Sequence, residues 1–349
     1  MKDYRLKVLQ MVSVLPSKVS ITTDITKQYR NSSGEWVFKE KKVSSNDTNS
    51  KKLVRKFHNF DISVNSARNL RKKIDFLYYY SNSRRIKTYS GKIISNFKVL
   101  FLTLTIPSKQ IHNTGMIITN ILDPFLQICR QRLKMTNYVW RLEFQGNGNA
   151  HFHILTDTYI DYYFAKKHWN KCLNNLGYID AYRDKMNSLS YNDYCQMYGK
   201  DYKGNKVSNE VLFKRYNAGK STNWRNPNSV DVKSIRSSKE IAFYISKYFS
   251  KKDKGQKCNE LDNEENSFAL RLCYWSRSLS RLKLETMPYD YYEADIVELL
   301  DADDSVIRCV YDYCVVYYYD IATIGIYLKK AINAVLERVR FEADYSPAG

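Results

Sequence analysis

The clearest runs of apolar and polar positions lie in the middle of the chain. Residues 97–106 (FKVLFLTLTI) are rich in β-branched and aromatic side chains and stop at Pro107. That composition predicts a strand buried on both faces. Residues 138–145 and 151–155 predict two more strands, joined by the turn Gly146-Asn147-Gly148-Asn149. Leu70, Ile74 and Leu77 recur at helical spacing behind Ser66, so 66–79 predicts a helix capped by Ser66. Further helices are expected over 124–133 and over 159–176, the latter closed by Gly177. A short strand is expected at 230–235, then a helix capped by Ser238 and running to about Lys252, and a tail helix over 322–341. Two stretches lack such a pattern. Residues 29–56 read as a loop or flexible arm, and the Tyr/Asn-rich stretch 178–229 as an irregular excursion. No repeat of 20–50 residues appears, which disfavours a solenoid. Strands and helices intermix around a central hairpin, so the expected class is α+β with an antiparallel sheet.

Charge sharpens this picture. The 349 residues carry 56 Lys+Arg against 36 Asp+Glu, a net +20. Residues 1–100 hold 22 basic and 7 acidic groups, 101–280 hold 27 and 16, and 281–349 hold 7 and 13. The net charges are therefore +15, +11 and −6, so the first two parts favour a polyanion and the tail does not. Nucleic acid suits that surplus best. No run of about 18 apolar residues offers a membrane span, and the most apolar stretch, 306–328, is broken by Arg308, Asp312 and Asp320. The N-terminus lacks the apolar core of a signal peptide. Seven cysteines without a Cys-x-x-Cys pair do not suggest a disulfide framework, and a reducing cytoplasm fits.

Two constellations carry candidate chemistry. On the first hairpin strand Arg141, Glu143 and Gln145 share a face, and on the second His151 and His153 do. Closing the turn brings Glu143, Gln145, His151 and His153 onto one polar face, a donor set suited to Mg²⁺ or Mn²⁺. Paired histidines on a half-exposed strand without a metal are the plain alternative. His58, His112 and His168 have no comparable company and read as structural or surface residues. In the helix that begins at Ser238, Tyr244, Lys247, Tyr248 and Lys251 fall on one stripe, with Ile241, Ala242, Ile245 and Phe249 behind them. A lysine ammonium beside a phenol favours the phenolate and can neutralise the phosphate it attacks. The chain has 30 tyrosines, so an amphipathic helix with tyrosines at its margin is the competing reading.

The ordered set of Phe101-Leu102-Thr103-Leu104-Thr105, His151-Phe152-His153 and Tyr244 to Lys251 resembles the HUH endonucleases. It is most similar to the two-tyrosine replication initiators of rolling-circle plasmids and small single-stranded DNA phages. Glu143, eight residues before His151 with Asn147-Gly148 between, looks like the third metal ligand of several such initiators. The run Asn226-Pro227-Asn228-Ser229-Val230-Asp231-Val232 is also similar to phage-type members. The resemblance spans roughly residues 95–255.

It implies a ferredoxin-like antiparallel sheet with the histidines on a central strand facing the tyrosine helix. Around it would lie a basic, partly helical region at 1–92 and a helical acidic region at 257–349, with the endonuclease at 93–256. It implies a metal held by His151, His153 and Glu143, with Gln145 able to replace or assist Glu143. Tyr244 or Tyr248 would be the nucleophile on single-stranded or origin DNA, and a host polymerase and helicase would be partners in a bacterial cytoplasm. Arg141, Arg68, Arg71, Lys72, Arg84 and Arg85 are candidate DNA contacts, against the plain reading of solvated basic faces. Gly219-Lys220-Ser221 has Lys214 where the first P-loop glycine belongs, so no ATPase is expected. The rivals are an HUH transposase or relaxase, and a non-catalytic basic nucleic-acid-binding protein.

Overall fold

The computed structural model describes residues 4–30, 33–38, 63–201, 204–235, 240, 241, 244, 272–282, 286–288, 295–311 and 314–345. The chain divides into two units, residues 1–59 with 280–349, and residues 60–279. The ends of the chain thus meet in one unit, whereas the sequence reading sets them apart as two regions.

In the first unit, β1 (Tyr4–Leu15) and β2 (Lys18–Arg30) form a long antiparallel hairpin around Pro16-Ser17. β3 (Trp36–Phe38) pairs with β2, so part of the expected 29–56 arm is strand; the rest of that arm lies outside the described residues. Numbered in chain order, β11 (Thr286–Pro288), β12 (Ile307–Tyr311) and β13 (Cys314–Tyr318) complete a six-stranded sheet ordered β11-β1-β2-β13-β12. This corrects the expectation of a helical tail. The run 306–319 is β-branched and aromatic, and β2 offers it an edge to pair with. The tail helix itself runs Ile326–Tyr345, a few residues later than expected. Val12, Val14, Val19, Leu328, Ile332 and Leu336 are buried here.

The second unit is built on a five-stranded antiparallel sheet, so the chain is mixed α+β with antiparallel sheets. Ahead of it, α1 (Val64–Tyr80) is capped by Ser63, whose side chain accepts from Ser66 N–H. The helix therefore starts before the expected cap. Leu70, Ile74 and Leu77 form its buried side, as their spacing predicts. β4 (Arg84–Lys87) and β5 (Ile93–Phe97) make a two-stranded ribbon. The expected strand over 97–106 is divided: β5 ends at Phe97 after Asn96 turns to φ 57°, and β6 spans Val99–Thr105.

β7 (Tyr138–Phe144) and β8 (Ala150–Thr156) form the central hairpin, and β9 (Val230–Ile235) and β10 (Cys273–Trp275) lie at the edges, in the order β10-β7-β8-β6-β9. Strand alternation separates two faces. Leu100, Leu102, Leu104, Trp140, Leu142, Phe152 and Ile154 point into one core. That core is covered by a helical stretch of α2 (Thr114–Ile117), a π-turn (Ile118–Leu122) and α3 (Asp123–Leu133), together with α4 (Tyr162–Asn174). Trp169 of α4 packs its ring there and donates its indole N–H to the Thr105 carbonyl at 3.0 Å.

The stretch 178–229 is not irregular. It forms α5 (Tyr178–Asn187), α6 (Tyr191–Tyr198) and α7 (Asn209–Ser221) around a small core of Met186, Tyr194, Leu212, Tyr216 and Trp224. Tyrosine, read as polar, serves here as the packing residue: Tyr194 lies 5.2 Å from Tyr216 and 5.8 Å from Trp224, ring to ring. Ser190 and Asp193 cap α6 reciprocally. Gly219-Lys220-Ser221 closes α7, and a Cβ at Gly219 would fall inside the Trp224 ring. That glycine is required by packing.

Candidate functional site

The opposite face of the five-stranded sheet is polar at its centre. Register sets Arg141 beside His153 and Glu143 beside His151 across β7 and β8. Across β8 and β6 it sets His153 beside Thr103 and His151 beside Thr105. Asp231 of β9 continues the row past Thr103, and Lys233 lies next to Phe101. The hairpin turn that fixes this register is stitched from behind. Gly148 adopts φ 81°, and the buried Asn149 donates to the carbonyls of Ile106 and Ser108 and accepts from Gln110 N–H.

Each histidine has a threonine behind it. Thr103 Oγ1 is 3.4 Å from His153 Nδ1, and Thr105 Oγ1 is 3.2 Å from His151 Nδ1. The hydroxyls leave the Nε2 atoms as the outward nitrogens. His153 is 2% exposed, and its Nε2 lies 2.9 Å from Glu143 Oε2, diagonally across the strand pair. The two imidazoles stand edge to face with centroids 4.7 Å apart. Burial pushes the His151 imidazole down to about 4, helped by His153 and opposed by Glu143. It is therefore neutral near pH 7, the form that can ligate a metal.

Among the described residues no group of three His, Cys, Asp or Glu side chains is spaced to hold a metal ion. Glu143 closes on His153 as a hydrogen-bonded pair, which takes the nitrogen that a cation would use. The donor chemistry still suits a divalent ion: two outward imidazole nitrogens beside a carboxylate that is 17% exposed at its side chain. Binding requires the carboxylate to swing away from His153 Nε2. Gln145 sits at the hairpin end, where its backbone N–H bonds the Asn149 carbonyl, beyond β7.

Tyr244 reaches this face over an aromatic step. Phe101 stacks on His153 with centroids 5.4 Å apart, and Tyr244 lies 4.4 Å from Phe101. Tyr244 is half-buried, and Glu240, Ile241 and Tyr244 have helical backbone, with Ile241 buried. Tyr248, Lys247 and Lys251 lie outside the described residues, as do Ser238 and most of that helix. Phe101, Asp231 and Lys233 were not singled out from the sequence as site residues. The signal for Phe101 was the i, i+2 pattern Phe101-Thr103-Thr105 in a run read as uniformly buried.

The candidate DNA contacts separate. Arg68 and Arg71 are exposed on α1, and Lys72 is half-buried beside Lys73, whose ammonium burial and Lys72 push down to about 8. Arg84 donates to the Asp157 carbonyl at 2.5 Å and lies over the Phe97 ring, while Arg85 is exposed. Arg141 is 2% exposed beside His153, a burial that does not suit a surface phosphate contact. His112 bonds the Tyr178 hydroxyl at 3.0 Å, and His168 is buried against Phe164, so both hold local packing; His58 is outside the described residues.

Residues 99–253 match the family model of the ORF2-type replication-associated proteins. The match begins at β6 and includes the histidine hairpin and Tyr244, less than half of the chain. It supports a replication-associated protein of the rolling-circle type. No curated protein and no solved structure matches the chain. No helix among the described residues is long and apolar enough to cross a membrane.

Proposed function

We propose that the chain is a rolling-circle replication initiator of the HUH type that nicks single-stranded origin DNA through a tyrosine. The observation that carries this reading is the shared sheet face, with His151, His153 and Glu143 at its centre and Tyr244 reaching it over Phe101. We read the five-stranded sheet as the ferredoxin-like sheet of that class, with the His pair on its middle strand.

In this reading the phenolate oxygen of Tyr244 or Tyr248 attacks the scissile phosphorus. A P–O bond to tyrosine forms and the P–O3′ bond breaks. The tyrosine proton is lost to solvent, and the 3′ oxygen leaves and takes up a proton. The products are a 5′-phosphotyrosyl link and a free 3′-OH that a host polymerase extends. A Mg²⁺ or Mn²⁺ ion held by His151, His153 and Glu143, with Gln145 as an alternative donor, would supply positive charge against the phosphate. Thr103 and Thr105 hold the two imidazole rings in one orientation, which spares that reorganisation during the reaction. Phe101 holds the tyrosine and His153 on one axis. Lys247 and Lys251 favour the phenolate, and the second tyrosine cuts the regenerated origin so that the displaced circle closes.

The test is a cleavage reaction with purified protein, Mn²⁺ and single-stranded DNA carrying the origin. A covalent protein–DNA adduct is expected, with the DNA mapped by mass spectrometry to Tyr244 or Tyr248. Absence of any adduct across metals and substrates would sink the nicking reading. Persistence of the adduct in the Tyr244→Phe/Tyr248→Phe double variant would place the nucleophile elsewhere.

A further inference from the structure

Two cavities open on the second unit and share one lining residue, Tyr163. The larger, about 950 Å³, includes Tyr244 at its wall together with the tyrosines of the α4 N-terminus and the tip of the β4–β5 ribbon. The smaller, about 690 Å³, runs along α4 and is faced by Arg225.

The chemistry of the two parts differs. The first is aromatic. Tyr89 at the ribbon tip is 87% exposed, and Tyr163 is 60% exposed, with their ring centroids 6.4 Å apart. Asp161 fixes this geometry, because its carboxylate caps α4 at Tyr163 N–H and accepts from Tyr89 N–H at 3.1 Å. The ribbon tip and the helix start are thus tied by one side chain, and the rings are held apart as open faces.

The second part is basic. Tyr163, Lys166, Lys167 and Lys171 fall at i, i+3, i+4 and i+8 on α4, so they form a stripe on the side away from the buried Ala165, Trp169 and Leu173. Arg225 stands across the cavity. Among the described residues none of these four cations is in an ion pair. Like charges gathered this closely repel, and a polyanion relieves that repulsion.

We propose that the two cavities form one track for single-stranded DNA that passes Tyr244, turns at Tyr163 and continues along α4. Bases stack on Tyr89 and Tyr163, and phosphates lie on Lys166, Lys167, Lys171 and Arg225. Unpaired bases are needed because the ring faces line a groove, out of reach of bases stacked within a duplex. The inference rests on the nicking reading for its substrate, and it adds a path on the helix that covers the apolar side of the sheet.

Fluorescence anisotropy of a dye-labelled oligothymidylate of about 16 nucleotides, with the full chain, tests it. Tyr163→Ala is expected to weaken binding by roughly 5- to 100-fold, while Tyr163→Phe, which keeps the ring, restores it. The Lys167→Gln/Lys171→Gln/Arg225→Gln variant is expected to flatten the slope of log affinity against log salt by about 2, at about 0.7 per lost phosphate contact. These side chains are exposed, and unchanged thermal unfolding of each variant establishes that the fold is retained. Unaltered affinity and salt slope in both sets would overturn the track. So would equal binding of a duplex with no dependence on Tyr163, which would mark a general electrostatic surface, or stronger binding of the RNA counterpart. Adduct formation is measured separately. Tyr163-dependent binding without any adduct would remove the nicking reading alone, and an adduct with Tyr163-independent binding would remove the track alone.

Discussion

The two faces of β6, β7 and β8 are made from the same strands and do opposite work. On one, Leu102, Leu104, Trp140, Leu142, Phe152 and Ile154 are buried with the helices α3 and α4 over them. On the other, His153, Arg141 and Glu143 occupy equivalent positions one residue along, held by hydrogen bonds to neighbours. Burying an imidazole and a guanidinium costs stability unless their polar atoms find partners. The apolar face offsets that cost, because one residue's displacement along each strand turns a side chain from core to site. The unit can hold a polar, pre-oriented site only because the reverse of each strand is so thoroughly packed.

Breaking that division should separate activity from stability. The largest effect is expected from His151→Ala/His153→Ala, with the rate of covalent adduct formation falling about 10³-fold or more. An adduct rate within a few-fold of wild type would remove these histidines from the chemistry. On the reverse face, Phe152→Ala lies between them in sequence and should cost about 3–5 kcal/mol of unfolding free energy in denaturant titration. A cost near zero would mean that the apolar face does not support the sheet.

Smaller effects sharpen the comparison on the polar side. Thr103→Val keeps the shape of the side chain and removes the hydroxyl beside His153 Nδ1. The concentration of Mn²⁺ for half-maximal adduct formation should rise about 10- to 100-fold, with unfolding little changed. An unshifted metal dependence would reduce Thr103 to packing.

The smallest effect concerns acid and the metal-free protein. His151 is held at about 4, below the usual histidine range, so the unfolded chain takes up a proton that the folded chain resists. The stability this gives is complete above pH of about 6.5 and is lost as pH falls through about 4. Thermal unfolding in a chelator should therefore fall over that window, and His151→Gln should flatten the fall. Identical profiles would show that the burial of His151 carries no such penalty.

Much of the second unit was legible because its signals are local. The hairpin turn, the alternation of Glu143 with Leu142 and of His151 with Phe152, the short strand at 230–235 and the buried stripe of α1 all follow from spacing. Other elements escaped for the converse reason. The tyrosines of 178–229 carry a hydroxyl that reads as polar, yet their rings pack when neighbours such as Trp224 surround them. The strands of the tail and of the N-terminal hairpin join one sheet across the length of the chain, and no local window contains that pairing.

By itself, the sequence determined which residues share a face of the central hairpin, because a strand's period of two leaves no freedom once the turn is placed. Only the tertiary structure decided that Thr103 and Thr105 stand behind the imidazoles and that Glu143 closes diagonally on His153 and not on its direct partner His151. It also decided that Phe101 links His153 to Tyr244. Those relations depend on the order of strands in the sheet and on the packing of a helix that follows more than eighty residues later in the chain. Spacing along the chain carries no record of either.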